Sequence, residues 1–211
     1  MDQAIKCLWC ASSLVTKTLF GLPYHQCQSC EFIWLDPSQR LDLAQEKARY
    51  EKHQNIVTDL GYQDFVRPLE KAILKKYNSQ HLGLDYGSGK DSAIHYLLKQ
   101  RQYQLEKYDP FFVNHPERLQ TEKYDYIVVC EVAEHFYDPC AEFEKLKSLL
   151  KSGGTLFVMT SLWSQDVDFI NWSYRRDSTH VCFYSVKTFS TQFTVEVEAP
   201  NLIILHDNRV T

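Results

Sequence analysis

Residues 82–95, LGLDYGSGKDSAIH, constrain the fold of this chain more than any other stretch. An apolar run leads into Asp85, glycines follow at positions 87 and 89, and a helix is predicted to begin at Asp91 or Ser92. Glycine adopts backbone dihedral angles closed to other residues and lets a ligand approach the main chain closely. The free N–H groups of the helix start face the same place. The stretch therefore predicts a strand, a tight turn and a helix that bind a nucleoside.

The same stretch indicates which nucleosides do not fit. A dinucleotide fingerprint needs glycine or alanine at position 92, where this chain has Ser92. A phosphate-binding P-loop needs Gly-Lys-Ser or Gly-Lys-Thr, whereas the chain has Gly89-Lys90-Asp91. The carboxylate of Asp91 at the helix start would repel a pyrophosphate and tolerate a cationic ligand. These features point away from NAD and ATP.

The pattern Asp85-x-Gly87-x-Gly89 resembles the first motif of the class I S-adenosylmethionine (SAM) dependent methyltransferases, with Asp91 at the position of the family's third glycine. Further segments resemble the same family in the same order along the chain. They are YDYIVVCEVAEHFYDP at 124–139, LLKSGGTLFVMTSL at 149–162 and an antiparallel pair at the end of the chain. RRDSTHVCFYS at 175–185 resembles a segment of a bacterial branch of the family.

The alternation of strands and helices after residue 80 predicts an α/β fold, with a Rossmann-like mixed sheet and a C-terminal antiparallel hairpin. The first predicted strand ends at Asp85, and the next three span 103–108, 124–130 and 155–160. Two further strands form a hairpin over 194–205. The predicted helices span 92–101 and 141–150. We expect the glycines at 153 and 154 to end the second of these helices. Residues 113–123 contain little apolar material, so the third strand of the family is expected to be short or absent.

Acidic side chains follow two of these strands. Asp109 comes after the second strand, and a carboxylate offers two acceptor oxygens to the hydroxyls of a ribose. The alternative is a turn aspartate that precedes Pro110. The resemblance implies that the cofactor-binding residues are Asp85, Gly87, Gly89, Asp109, Pro110 and Glu131. It also places Glu134 and His135 where ligands bind.

Four cysteines in the first thirty residues predict a metal site. Cys7-x2-Cys10 and Cys27-x2-Cys30, separated by 16 residues, have the spacing of a four-cysteine zinc site. Because four thiolates close the coordination shell, this zinc is expected to be structural, with His25 as a bystander. Residues 1–37 are therefore predicted to form a zinc ribbon whose apolar strand packs on the next domain.

Residues 38–80 are predicted to be a helical lead-in. One helix is expected from Leu41 to about His53 and another from Tyr62 to Tyr77, in which Pro68 introduces a kink or a restart. Tyr50, His53 and Asn55 either line the site or form a solvated helix surface, and the sequence favours the surface. Residues 81–211 form the predicted SAM-binding domain.

The connection 163–185 is polar and aromatic, and it follows a strand's carboxyl end, where substrate residues are expected. A hydroxyl acceptor requires a base, for which the candidates are His180 first, then Tyr174 and His135. Arg175 and Arg176 are expected either to bind an anionic substrate group or to pair with nearby aspartates at 166, 168 and 177.

The net charge of −4 and a pI near 6.1 argue against a protein held to nucleic acid mainly by phosphate contacts. With no long apolar run and no signal sequence, the expected location is the cytoplasm, with no membrane partner. The favoured function is SAM-dependent methylation of a small molecule. The alternatives are an RNA methyltransferase that uses the ribbon to contact RNA, and a non-catalytic binding module.

Overall fold

The computed structural model describes residues 5–52 and 56–207. Its strands are β1 (Val15–Thr16), β2 (Tyr24–Cys27), β3 (Ile33–Leu35), β4 (Leu82–Tyr86), β5 (Gln104–Tyr108), β6 (Tyr124–Cys130), β7 (Leu150–Met159), β8 (Cys182–Phe183), β9 (Phe193–Ala199) and β10 (Leu202–Asp207). Its helices are α1 (Leu43–Tyr50), α2 (Leu60–Lys76), α3 (Ala93–Gln100), α4 (Pro139–Leu149) and α5 (Val186–Ser190). Short 3-10 turns lie at Pro37–Gln39, Pro116–Arg118, Ala133–His135 and Tyr174–Arg176.

Six strands form one large sheet in the order β5-β4-β6-β7-β10-β9. The first four are parallel, while β10 runs antiparallel to both β7 and β9. The predicted mixed sheet with a C-terminal antiparallel hairpin is therefore confirmed. The chain passes from β4 to β5 on one side and then to β6 on the other side. This reversal of direction opens a crevice at the carboxyl ends of the strands.

Helices cover both faces of the sheet because side chains alternate along the buried strand β6. Tyr126 and Val128 pack in the same core cluster as Leu69 and Ile73 of α2 and Leu98 of α3. The intervening residues, 127 and 129, belong to a second cluster with α4. None of the helices in the described ranges is long and apolar enough to cross a membrane.

Gly83 in β4 shows how tightly one of these faces is packed. A Cβ atom at this position would overlap the ring of Tyr126 and come within 2.8 Å of Leu105 Cδ1. We expect Gly83→Ala to lower the free energy of unfolding by about 2 kcal/mol, because overpacking displaces neighbouring side chains. Urea unfolding measures this. The control is Gly61→Ala, where the new Cβ meets only Asp59 Oδ1 at 3.2 Å. A Gly83→Ala protein with an unchanged free energy of unfolding would contradict the tight packing around Gly83.

Between Asp109 and β6 the described residues contain no strand, as expected; they form one isolated bridge from Asp109 to Val113 and a 3-10 turn. The end of the next helix needs correction. The glycines near 153 do not end α4. The helix stops at Leu149, and the strand starts at Leu150 because this residue already pairs with Tyr124. Gly153 lies inside β7, with φ of 73°, where the register shifts.

The two lead-in helices also differ from the prediction. The first ends at Tyr50, and its predicted end at His53 lies outside the described residues, as does Asn55. It begins later than predicted because Asp42 caps it by accepting a hydrogen bond from the N–H of Gln45. The second runs without interruption through Pro68.

The N-terminal segment forms a second, four-stranded sheet in the order β1-β2-β3-β8. Its last strand comes from residues 182–183, far along the chain, and the N–H of Leu35 donates to the carbonyl of Val181 at 2.8 Å. The ring of Trp9 packs against Phe143 and Tyr184, with centroids 5.1 and 5.7 Å apart. Phe32, in the predicted apolar strand, packs against the same Tyr184 with ring centroids 5.2 Å apart, so an aromatic residue of that strand contacts the later part of the chain, as predicted. The boundaries at residues 37 and 80 remain predictions.

Candidate active site

A cleft of about 1700 Å³ opens at the carboxyl ends of the parallel strands. Asp85, the last residue but one of β4, and Asp109, which directly follows β5, both line this space. Strand β4 thus extends one residue beyond its predicted end at Asp85. All the residues that the sequence assigned to the cofactor or to catalysis line it: Asp85, Gly87, Gly89, Asp109, Pro110, Glu131, His135, Tyr174 and His180. The structure thus brings together the predicted site, while the roles of the individual residues remain predictions.

The glycine turn leaves the main chain uncovered on one side of the cleft. Gly87 and Gly89 have φ angles of 77° and 58°, which side chains disfavour. A Cβ atom at Gly87 would lie 2.5 Å from Val132 Cγ1, whereas one at Gly89 would meet no atom within 4 Å. Gly87 is therefore required for packing and for its dihedral angle, and Gly89 borders open space. The N–H groups of Gly87 and Ser88 donate to the carbonyl of Tyr108, which fixes the turn against β5.

Asp109 holds the turn and the end of β5 together. Its Oδ2 accepts a hydrogen bond from the N–H of Gly89 at 3.0 Å. Its Oδ1 accepts from the N–H groups of Phe111 and Phe112 at 2.8 and 2.9 Å. Because a carboxylate offers about four acceptor positions, about one remains for a ligand. Asp109 thus combines the turn role, kept as an alternative in the sequence analysis, with a position beside the cleft.

Asp85 is buried, with 2% of its surface exposed, and its Oδ2 accepts no hydrogen bond from the described residues. Burial raises the pKa of Asp85 to about 6, and the charge of Asp109 adds to this, while the hydroxyl of Ser92 and the charge of Lys107 act in the opposite direction. A buried carboxyl of this kind favours a nearby positive charge, which stabilises its ionised form.

We call residues 131–135 and 172–180 the loop wall of the cleft. Burial raises the pKa of Glu131 to about 8, and the next largest cause is the charge of Glu134. Glu134 is completely buried, and its Oε2 accepts a hydrogen bond from Thr160 Oγ1 at 3.0 Å. Glu131 has a φ of 53°, a left-handed conformation that is uncommon for a residue with a side chain. Two acidic side chains are thus held close together away from water.

The three predicted bases all belong to the loop wall. The Tyr174 hydroxyl lies 2.9 Å from Thr160 Oγ1, and burial raises its pKa far above the ordinary value. Burial lowers the pKa of His180, so its imidazole is neutral at pH 7. The rings of His135 and His180 meet edge to face with centroids 4.8 Å apart.

Two expectations about neighbouring residues were wrong. Tyr50, expected on a solvated surface, lines the cleft, because its hydroxyl donates to the buried Glu46 and its ring packs against Phe111. Arg175 does not line the cleft, where it was expected to meet a substrate group, and within the described residues it forms no ion pair with an aspartate. Its guanidinium donates instead to the carbonyls of Phe169 and Ile170. Asp177 pairs with a different residue, Arg49, at 2.7 Å.

Sequence reasoning missed Glu46 and Thr160. Thr160 was findable, since it is the polar residue that follows the carboxyl end of β7, as Asp109 follows β5. Glu46 was not, because α1 contacts the cleft only through the tertiary fold. In the sequence it is one acidic residue in a helix with a charged surface.

The four cysteines form a separate cluster. Their Sγ atoms all lie within 4.8 Å of one another, with Cys7 to Cys30 at 3.7 Å and Cys10 to Cys27 at 3.6 Å. The ring of His25 lies outside this cluster, and its Nε2 is 2.9 Å from Asp36 Oδ2; its role as a bystander remains a prediction.

A family model described as a methyltransferase domain matches residues 61–194, more than half of the 211 residues. The chain therefore belongs to the methyltransferase-domain family, and it is a SAM-dependent methyltransferase of class I. The comparison with curated proteins gives no match.

Solved structures agree with the fold. The 1,6-didemethyltoxoflavin N1-methyltransferase of Burkholderia thailandensis, solved with 1,6-didemethyltoxoflavin and S-adenosylhomocysteine, aligns with a TM-score of 0.51 and 11% identity. The alignment covers 77% of this chain and 84% of that chain. A SAM-dependent methyltransferase from Aquifex aeolicus aligns with a TM-score of 0.50 and 12% identity, over 80% of this chain and 98% of that chain. At these identities the likeness concerns the fold alone.

Proposed function

We propose that this methyltransferase transfers the methyl group of SAM to a small-molecule acceptor bound in the cleft. The observation that carries the proposal is charge: the described residues lining the cleft include ten acidic side chains and one lysine, Lys90. Some of these side chains contribute no net negative charge, since burial raises the pKa of Glu131 to about 8 and Arg49 pairs with Asp177 at 2.7 Å. The cleft nevertheless has far more acidic than basic side chains. Proteins bind RNA backbones through lysines and arginines that neutralise phosphates. The acidic lining of the cleft therefore favours a small neutral or cationic acceptor over RNA.

The side of the cleft around the glycine turn fits SAM. The uncovered main chain at Gly87 and Gly89 leaves room for close approach, and Asp109 keeps an acceptor position for a ribose hydroxyl. The buried carboxyl of Asp85 lies where a cationic ligand would offset its charge. We assign Pro110 and Glu131 to the same cofactor set on the resemblance to the family.

SAM supplies a methyl group on a positively charged sulfur, so the chain must align the acceptor and exclude water. The rings of Tyr50, Phe111 and Trp172 supply apolar surface in the cleft that serves this exclusion. A hydroxyl acceptor must also lose its proton. Tyr174 is poorly suited to receive it, because its own pKa is raised. The imidazoles of His180 and His135 remain, either as bases or as ligands of a cation.

We also propose that Cys7, Cys10, Cys27 and Cys30 hold a structural zinc ion. Tetrahedral zinc with Zn–S bonds of ~2.3 Å requires sulfur atoms ~3.8 Å apart. The distances of 3.7 Å for Cys7 to Cys30 and 3.6 Å for Cys10 to Cys27 are close to this value, and all four sulfur atoms lie within 4.8 Å of one another. Four thiolates leave no open position, so the ion would stabilise the ribbon and take no part in the reaction.

Calorimetry with S-adenosylhomocysteine tests the cofactor assignment. The wild-type chain is expected to bind it, and Asp109→Asn to weaken binding about 30-fold, because a hydrogen bond to a charged group contributes ~2 kcal/mol. The matched control is Glu142→Gln, which removes a charge from the same cleft and keeps an oxygen that accepts from Tyr86. Its effect should stay below about threefold. No binding by the wild type would contradict the assignment.

A gel shift with RNA at ~50 and ~200 mM salt tests the acceptor class. We expect no shift at either concentration. A shift at low salt that weakens steeply at higher salt would overturn the small-molecule proposal in favour of an RNA acceptor.

A further inference from the structure

Three side chains of the loop wall converge in a way that methyl transfer alone does not require. Glu134, His135 and His180 each bring one possible ligand atom to a common point, where these atoms lie within 4.8 Å of one another. The Nε2 of His135 is 3.9 Å from Glu134 Oε1. All three residues line the cleft. Two imidazoles and a carboxylate are a donor set that binds divalent transition metals.

The hydrogen bonds of the imidazoles orient them as ligands. The Nδ1 of His135 lies 2.9 Å from the carbonyl of Thr179, and the Nδ1 of His180 lies 2.7 Å from the carbonyl of Tyr174. Because a carbonyl oxygen only accepts, each Nδ1 must carry the proton in the neutral ring. Each Nε2 then carries a lone pair. A backbone carbonyl on Nδ1 is the usual support of a histidine that binds metal through Nε2.

The carboxylate is supported in the same way. Thr160 donates to Glu134 Oε2, which leaves Oε1 as the atom on the side of His135. Among the described residues, Oε1 accepts no hydrogen bond, although Glu134 is completely buried. Oε1 of Glu131 is also buried without a hydrogen bond. Within the described ranges, no lysine or arginine forms an ion pair with either carboxylate. A cation at this point would stabilise the ionised forms of both carboxyls.

We propose that Glu134, His135 and His180 bind a divalent transition-metal ion in the loop wall. Imidazole ligands favour ions of the Mn²⁺ to Zn²⁺ series over Mg²⁺ and Ca²⁺, which prefer oxygen ligands. Metal–ligand bonds of ~2.0–2.2 Å place donors up to ~4.4 Å apart, so the site needs to contract by only a few tenths of an ångström. Three protein ligands leave coordination positions open toward the cleft.

This inference rests on the proposed function. Two neighbouring oxygen atoms of the acceptor would fill the open coordination positions of the ion, so the acceptor class is a hydroxyl with a second oxygen beside it, as in a vicinal diol, a catechol or a hydroxy acid. The ion lowers the pKa of the hydroxyl, whose proton passes to water. The oxygen then forms a bond to the methyl carbon as the carbon–sulfur bond breaks. The electron pair of that bond stays on sulfur, which becomes a neutral thioether.

Titration of the 211-residue chain, first supplied with one equivalent of Zn²⁺, with Mn²⁺ tests the site when the free Mn²⁺ is followed by electron paramagnetic resonance. Mn²⁺ is chosen because it prefers oxygen and imidazole to the thiolates of the cysteine cluster. The wild type is expected to bind one ion per chain. Glu134→Gln and His180→Gln should each weaken binding at least ~10-fold. The control is Glu46→Gln, another cleft carboxylate, whose replacement still accepts from Tyr50.

Wild-type protein that retains no more Mn²⁺ than Glu134→Gln would overturn the proposal. So would an equal loss in Glu46→Gln, which would place the ion elsewhere. Thermal unfolding curves check that each variant folds, and His180→Gln decides the question if Glu134→Gln does not. Calorimetry with S-adenosylhomocysteine on the same samples separates the two proposals. Cofactor binding without Mn²⁺ overturns the ion site alone, and Mn²⁺ binding without the cofactor overturns only the proposed function.

Discussion

Replacing Cys30 with serine is expected to remove zinc from the ribbon and to lower the midpoint of thermal unfolding by about 8–16 °C. The Sγ of Cys30 is completely buried against that of Cys7. Binding of structural zinc contributes ~10–16 kcal/mol in isolated finger peptides, which is comparable to the ~5–15 kcal/mol that stabilises a typical protein. If zinc binding adds only ~4 kcal/mol to the free energy of unfolding of the whole chain, its loss lowers the unfolding midpoint by about 8–16 °C, at ~2–4 °C per kcal/mol.

The loss of stability should extend beyond the ribbon, because hydrogen bonds join the ribbon to the rest of the chain. The carbonyl of Cys30 accepts from Thr188 Oγ1 at 2.8 Å, and the indole N–H of Trp9 donates to Thr191 Oγ1 at 2.8 Å. Strand β8, which completes the ribbon sheet, is preceded by Val181, whose N–H donates to the carbonyl of Glu134. A loosened ribbon would therefore release the loop that carries His180.

Zinc content by mass spectrometry and thermal unfolding by near-ultraviolet circular dichroism measure these effects. The matched control is Cys140→Ser, the same change at a cysteine of α4 outside the cluster, and it should leave both values near those of the wild type. A Cys30→Ser protein that keeps its zinc, or that unfolds within about 2 °C of the wild type, would be the contrary result.

Local spacing made the central part of the site predictable. Asp85, Gly87 and Gly89 lie within five residues, and the turn they form follows from dihedral angles that glycine alone adopts readily. Asp109 was findable because parallel strands place their carboxyl ends at one edge of the sheet. The cysteine cluster was findable because two Cys-x2-Cys pairs 16 residues apart have the spacing of a four-cysteine metal site.

Contacts between distant parts of the chain were not predictable in this way. Strand β8 has two residues and no pattern of its own, and it exists because β3 offers an unpaired edge. The guanidinium of Arg175 donates to a backbone carbonyl of its own loop, and which acceptor it contacts depends on how the loop folds. The convergence of His180 with Glu134, 46 residues earlier, likewise depends on the tertiary fold and has no local pattern.

The second large effect concerns pH, and it comes from the buried carboxyl of Asp85. Its pKa in the folded chain is raised to about 6 from an ordinary value of 3.8, with burial as the main cause. A raised pKa means that the fold favours the protonated form. The stabilising contribution of that form is complete below about pH 4 and is lost as pH rises through about 6. Two pKa units correspond to ~3 kcal/mol.

Urea unfolding of the wild type and of Asp85→Asn between about pH 4 and pH 7 measures this contribution. Asparagine has the shape of the protonated carboxyl and does not titrate. The free energy of unfolding of the wild type, minus that of Asp85→Asn, should therefore fall by ~3 kcal/mol across this range. The subtraction is needed because Glu131, Glu134 and the cysteine cluster also respond to pH and respond equally in both proteins. A difference that does not change with pH would contradict the burial of an ionisable Asp85.

Saturating SAM should reduce this pH dependence, because in the proposed site its positive charge would lie near Asp85, favour the ionised carboxylate and bring its pKa back down. S-adenosylhomocysteine has lost the charge on sulfur, so it should reduce the pH dependence less. Asp85→Asn should accordingly weaken SAM more than S-adenosylhomocysteine, whereas the neighbouring Asp91→Asn, at an exposed carboxylate of the same turn, should change the ratio of the two affinities little. Equal losses for both ligands in Asp85→Asn would mean that Asp85 supports the glycine turn and does not sense the sulfonium charge.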